Sequence, residues 1–205
     1  FALNIARNMS VIYGKKVLFF SLEMTKEQLA SRVIATEARI EGTKMRSGRL
    51  DQSDWERLTI AAKKLSECNL YFDDSSNITV PEMKAKIRRL KDVDCVIIDY
   101  LQLMKSGTRT ENRVQEVSEI TRSLKLMAKD LNVPVITLAQ LARGTEARGK
   151  SHRPQLSDLR ESGSLEQDAD IVMFLYREDY YDPDTENKNI TDVIIAKHRN
   201  GPVDT

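Results

Sequence analysis

Two rhythms organise the apolar residues of this chain. Short unbroken runs close on single polar side chains: Val17-Leu-Phe-Phe-Ser-Leu-Glu23, Cys95-Val-Ile-Ile-Asp99 and Val133-Pro-Val-Ile-Thr-Leu-Ala-Gln140. Runs of four to six Val, Ile, Leu and Phe residues between polar turns read as strands buried on both faces, as in a parallel α/β sheet. Between Asn112 and Leu131 the apolar positions Val114, Val117, Ile120, Leu124, Ala128 and Leu131 instead keep helical spacing, which gives that segment one face to lay on a sheet. The full pattern predicts helices over 1–13, 25–40, 52–67, 80–91 and 112–131. It predicts strands over 16–21, 69–72, 94–100, 134–139, 170–176 and 191–197, with loops at 103–112 and 140–164. Such alternation indicates a wound α/β sheet in one domain over residues 1–205.

Some helix starts carry their own signal. Ser53-Asp-Trp-Glu56 fits a capping box, and Thr79-Val-Pro-Glu82 offers a capping hydroxyl, a proline near the first turn and an early acid.

Composition narrows the class without choosing a partner. With 205 residues, 40% of them apolar, the chain can bury a substantial core. Its 32 basic and 31 acidic residues leave a net charge of +1, so nucleic acid would have to be held by local patches. The two cysteines, Cys68 and Cys95, do not make a disulfide framework, and Cys95 reads as an apolar filler inside a strand. This fits a reducing cytosol. No apolar stretch approaches the roughly 18 residues needed to span a bilayer, so a soluble cytoplasmic protein without a membrane partner is expected. The chain opens in the middle of a helical pattern and closes on a turn, as an internal portion of a longer protein would.

Ligands of parallel sheets sit outside the carboxyl ends of the strands, so Glu23, Asp99 and Gln140 suggest one polar site for a phosphate and its metal. Asp99 is placed to hold magnesium, which takes oxygen ligands and retains waters; alternatively it caps the following helix. Glu23 could orient and deprotonate water, or serve as first-turn acid of the helix beginning near Thr25. Gln140 could sense a terminal phosphate, or satisfy backbone groups. Arg143, Arg148, Lys150 and Arg153, opposed only by Glu146, make one loop basic, and Lys105, Arg109 and Arg113 form a second patch. His152 and His198 are too far apart, and too poorly supported by cysteines, for structural zinc.

The stretches Phe19-Phe-Ser-Leu-Glu-Met24, Val96-Ile-Ile-Asp-Tyr-Leu-Gln-Leu-Met104 and Val135-Ile-Thr-Leu-Ala-Gln-Leu-Ala-Arg143 carry a resemblance. Leu159-Arg-Glu-Ser-Gly-Ser-Leu-Glu-Gln-Asp-Ala-Asp-Ile-Val-Met-Phe-Leu-Tyr-Arg177 and Ile194-Ile-Ala-Lys-His-Arg-Asn-Gly-Pro202 continue it in order. Together they resemble the C-terminal motor domain of bacterial replicative DNA helicases of the DnaB type, across essentially all of the chain. The resemblance implies a RecA-like P-loop NTPase core, with a mainly parallel sheet flanked by helices. It implies a hexameric ring that hydrolyses ATP or another nucleoside triphosphate with Mg2+ and moves 5′ to 3′ on single-stranded DNA to unwind the replication fork. Primase and a helicase loader are the implied partners.

By position, Glu23 would be the catalytic glutamate, Asp99 the magnesium and nucleotide residue, and Gln140 the nucleotide-state sensor. Arg160, Glu161 and Gly163 would meet the DNA backbone, although Arg160 and Glu161 without the resemblance read as a solvated charge pair. Lys197 and Arg199 resemble the basic finger that reaches a neighbouring subunit's phosphates, with His198 where the family often has glutamine. The phosphate-cradling loop G-x-x-x-x-G-K-[ST] does not occur in these residues, and the family's copy would lie just before Phe1. Residues 1–205 alone are therefore expected not to hydrolyse ATP appreciably. A RecA-like recombinase, or a non-hydrolysing nucleic-acid-binding module, are the alternatives.

Overall fold

The computed structural model describes residues 1–107, 112–141 and 152–204, with the main chain alone of 160–163. The expected basic positions Arg109, Arg143, Arg148 and Lys150, with Glu146, lie outside the described residues. The chain divides into two compact units, Phe1–Gly107 with Leu126–Ala139, and Thr108–Lys125 with Gln140–Thr205.

The first unit is built on a parallel sheet. Strands β1 (Val17–Ser21), β2 (Leu70–Asp73), β3 (Cys95–Asp99) and β4 (Val135–Thr137) stand in the order β2-β1-β3-β4. All three pairings are parallel. Parallel neighbours need long crossovers, and helices supply them. Between β1 and β2 run α2 (Lys26–Ala38), α3 (Gly42–Ser47) and α4 (Gln52–Ser66); α5 (Val80–Leu90) leads to β3, and α6 (Arg113–Leu131) leads to β4. The apolar runs of β1 and β3 are buried, as inner strands covered on both faces require. Val17, Phe19, Cys95 and Ile97 share a cluster with Ala6 and Leu29, and Phe72 meets Phe19 edge-on at 6.0 Å between ring centroids. Burial raises the Cys95 thiol pKa to about 11, so it behaves as the inert filler its position suggested.

The predicted first helix has two windings. Helix α1 (Ala2–Arg7) passes into a π-helical turn over Asn8–Ile12, where buried Ser10 donates to the main-chain oxygens of Lys15 and Asn69. Arg7 and Lys64 converge on Glu37, tying together α1, α2 and α4. Burial alone would raise the Glu37 pKa, but the hydrogen bonds from Lys64 and Arg7 outweigh it and hold the carboxyl below its ordinary range.

The start of α4 differs from expectation. Its N-cap is Asp51, whose Oδ1 accepts from Asp54 N at 2.9 Å, while Asp54 Oδ2 accepts from Asp51 N at 3.1 Å. Ser53 spends its hydroxyl donating to Asp51 Oδ1 at 2.7 Å, so the capping box lies two residues before the predicted one. At α5 the expected cap is present, with Thr79 N and Oγ1 both donating to Glu82 Oε2 at 2.8 Å. Helix α3 arises in a segment with no predicted element, and Gly48 ends it at φ +68°, a left-handed turn that a glycine adopts without steric cost.

In the second unit, β5 (Ile171–Tyr176) and β6 (Asp192–His198) pair antiparallel, with a bulge between Val172 and Met173. The two strands form a separate hairpin sheet among the described residues, where a continuation of one wound sheet was expected. The half-exposed Ile171, Met173 and Leu175 alternate with Phe174, which is buried, the pattern of strands covered on one face. The segment read as a long loop contains a 3-10 helix (Leu156–Ser162) and the short helix α7 (Gly163–Asp168), and α8 (Glu178–Tyr181) follows β5. Thr121 of α6 donates to Asp168 Oδ2 at 2.6 Å and so anchors the end of α7. Among the described residues no helix is long and apolar enough to cross a membrane.

Candidate active site

Glu23 and Asp99 come together because β1 and β3 are neighbours in register. Ser21 pairs with Asp99, and the chain turns immediately after β1. Leu22 N donates to Asp99 O at 2.7 Å, and Met24 N donates to the buried Ser21 Oγ at 3.1 Å. These two hydrogen bonds bracket Glu23 and hold the turn that presents it, exposed, beyond the sheet edge. Helix α2 begins only at Lys26, capped by Thr25 in a reciprocal box with Gln28, and its first-turn acid is Glu27. The reading of Glu23 as first-turn acid of that helix is thereby corrected, because Thr25 separates it from the helix.

Asp99 does not cap the next element either. The 3-10 turn Leu101–Leu103 has Tyr100 at its N-cap and no side-chain capping bond, and the Asp99–Tyr100 peptide is cis. The Asp99 carboxylate makes no hydrogen bond among the described residues. Its pKa is raised, first by burial and then by the negative charge of Glu23, with Arg32 of α2 pulling the other way. A half-buried carboxylate with the negative charge of Glu23 nearby makes a place where a cation is electrostatically welcome. A cavity of about 630 Å3 lined by Arg39, Lys44, Asp54 and Arg57 contains none of these residues.

Gln140 follows β4, whose neighbour Leu138 donates to Ile98 O and accepts from Leu101 N, both at 2.9 Å. It is exposed and falls in the second unit. The main chain of Arg160 and Glu161 lies in the 3-10 helix, and Gly163 opens α7.

Lys197 and Arg199 stand side by side at the end of β6. Lys197 Nζ donates to the main-chain oxygens of Glu166 and Gln167, carbonyls of the last turn of α7. Arg199 Nη1 pairs with Asp170 Oδ1 at 3.3 Å, and Lys125 holds the other oxygen of that carboxylate. Arg153, expected to belong to a basic loop surface, pairs with Asp192 at 2.9 Å and lies over the Tyr176 ring at 5.2 Å. The His152 ring stacks on Tyr181 at 4.4 Å, and Arg113 pairs with Glu116. Among the described residues no group of three or more His, Cys, Asp or Glu side chains is arranged to hold a metal.

Sequence reasoning passed over Ser21, Arg32, Lys125 and Asp170. Ser21 ends an apolar run and carried a weak signal there. For Asp170, one acid among several before β5, nothing in the local pattern marks its two basic partners.

The chain is 54% identical over 209 residues to the replicative DNA helicase DnaC of Bacillus subtilis (strain 168), an alignment covering 100% of the chain and 46% of that protein. Identity is 53% over 209 residues to the replicative DNA helicase DnaB of Geobacillus stearothermophilus, again covering 100% of the chain and 46% of the relative. The chain thus spans about half the length of the curated relatives it matches.

Among solved structures, an isolated ATPase domain superposes with a TM-score of 0.94 at 44% identity, over 99% of this chain and 73% of that one. A DnaB-like replicative helicase, solved with attention to its interactions with primase, matches with the same TM-score of 0.94 and 44% identity over 99% of this chain and 50% of that one. The RadB recombinase, at 15% identity and a TM-score of 0.54 over 98% of this chain and 76% of that one, shares the fold alone. The core is RecA-like. The model of the DnaB-like helicase C-terminal domain matches residues 1–205, and the chain belongs to that family.

Proposed function

We propose that this domain is the motor of a replicative DNA helicase, hydrolysing ATP to move on single-stranded DNA and separate the duplex at a replication fork. The observation that carries the reading is the pairing of Glu23 and Asp99 at adjoining strand ends, with Glu23 free of the helix that follows it.

Asp99 fits a bound magnesium ion. Burial and the nearby negative charge of Glu23 favour a cation beside Asp99, and a single protein carboxylate suits an ion that takes its remaining ligands from water and phosphate. When bound, Mg2+ would neutralise developing charge on the transferred phosphoryl group. Asp99 would hold the ion's waters or the ion itself. Glu23, exposed and fixed from both sides, would orient the attacking water and take its proton. Gln140 would sense the terminal phosphate, and Lys197 and Arg199 would supply positive charge to nucleotide held by a neighbouring protomer of a hexameric ring.

Arg160, Glu161 and Gly163 would contact the DNA backbone. An arginine gives charge-assisted contacts, and glycine admits close approach of main-chain amides, neither of which requires a particular base. Movement 5′ to 3′, contacts with primase and a loader, and a cytoplasmic location complete the proposal. A recombinase reading retains only the shared fold.

The test uses the complete gene product. Glu23→Gln should slow ATP hydrolysis by at least about 100-fold while nucleotide affinity is kept, and unwinding of a forked duplex should cease. Turnover at the wild-type rate would remove Glu23 from catalysis.

A further inference from the structure

The basic finger is occupied within its own protomer. Lys197 Nζ reaches Gln167 O at 3.2 Å as well as Glu166 O, and Arg199 Nη2 reaches Gln167 O at 3.5 Å. The carbonyls of a last helical turn have no partners in the helix and carry partial negative charge, so cations settle there. Arg199 then adds its ion pair with Asp170, and its main-chain N donates to Asp170 O at 2.8 Å. Asp170 shares its carboxylate between Arg199 and Lys125. The end of α7 is in turn fixed to α6 through Asp168 and Thr121.

We propose that Asp170 is a positioning residue: its carboxylate stores Arg199 on the finger's own protomer, and the phosphates of nucleotide on a neighbouring protomer must compete it away. The proposal rests on the reading of Lys197 and Arg199 as a finger acting in trans. The exposure of the pair is what makes the store reversible. The Arg199 and Asp170 side chains are 50% and 54% exposed, and ion pairs so placed are weak enough to exchange. A triphosphate offers more negative charge and more acceptor oxygens than one shared carboxylate, so it displaces the pair. The main-chain bond at Arg199 is independent of that exchange, so the guanidinium can leave while the backbone stays at the end of β6. Lys125 tunes the store: it competes with Arg199 for the same carboxylate, and without it Asp170 would serve Arg199 alone.

Two variants of the complete gene product test this in opposite directions, with ATP turnover measured with and without single-stranded DNA. Asp170→Asn should raise DNA-free turnover, by up to about five-fold given the strength of exposed ion pairs, and lower the ratio of stimulated to unstimulated rates. Lys125→Met should lower DNA-free turnover by a comparable factor. A residue needed only for folding would move both variants downward together, with lower thermal midpoints. Unchanged or reduced turnover in Asp170→Asn at an unchanged midpoint overturns the proposal. If that variant does not fold, unchanged or raised turnover in Lys125→Met overturns it equally. Arg199→Ala separates the two levels: full turnover there defeats the finger reading itself, whereas its loss beside an inert Asp170→Asn defeats only the store.

Discussion

Replacing Ser21 with Ala removes one oxygen from the interior and changes nothing that touches a substrate. That oxygen accepts from Met24 N at 3.1 Å, in a side chain that is 1% exposed. The Met24 N–H is left to find water from a half-buried position, so the expected cost is about 1 kcal/mol, within the net range of about 0.5–1.5 kcal/mol for an ordinary internal hydrogen bond. With a urea slope of about 1–3 kcal/mol/M, the unfolding midpoint should fall by about 0.3–1 M.

The functional cost should be larger than the stability cost. Glu23 lies between this bond and the one from Leu22 N to Asp99 O, and with one support removed the carboxylate can drift. A displacement of about 1 Å at a reacting group can cost about 100-fold, so kcat for ATP hydrolysis should fall by about 10- to 100-fold with KM nearly unchanged. Steady-state kinetics on the complete gene product, beside urea melts, measure both quantities. Wild-type kcat in a protein destabilised by about 1 kcal/mol would show that the Ser21 bond does not position Glu23, and the reasoning would fail.

Asp99→Asn should abolish turnover yet stabilise the ligand-free protein near pH 7. A carboxyl whose folded pKa is raised binds more protons folded than unfolded, so its contribution to stability falls as pH rises through that interval. The penalty is full above the folded pKa, and the advantage of the amide should shrink as pH drops toward the ordinary value of 3.8. Melts across pH check this, and an amide variant less stable at pH 7 would contradict it. Ile97→Ala, fully buried in β3, should cost about 2–5 kcal/mol in urea melts, whereas Ile60→Ala, 69% exposed on α4, should stay within about 0.5 kcal/mol.

Much of the architecture was legible along the chain because its signals are local. The unbroken runs at Val17, Cys95 and Val135 are strands, and the spacing from Val114 to Leu131 is a helix; β1 and the apolar run of β3 are buried as expected, whereas β4, last in the sheet order, is only half-buried. Thr79 and Glu82 named their helix start correctly, since a capping box is settled within four residues. At α4 the same rule chose Ser53, because Ser and Asp both fit an N-cap, and the ionised Asp51 proved the acceptor. Helices α3, α7 and α8, of six, six and four residues, are too short for a 3.6-residue period to show. Helices α3 and α8 lay in segments with no predicted element, and α7 began in one read as a loop.

The sequence by itself thus determined the types of the longer elements, the covering of the inner strands and the presence of acids at their carboxyl ends. It could not say whether Glu23 belonged to the helix after it or to the acid across the sheet. That choice fell to the parallel register of β1 with β3, which brings residues 21 and 99 side by side. Tertiary structure likewise decided that β5 and β6 pair with each other, and that Asp170 divides itself between Lys125 and Arg199. The physical reason is one of range: periodicity and capping are settled within a few residues, whereas strand order and shared ion pairs depend on partners tens of residues away that only the folded backbone brings within a few ångströms.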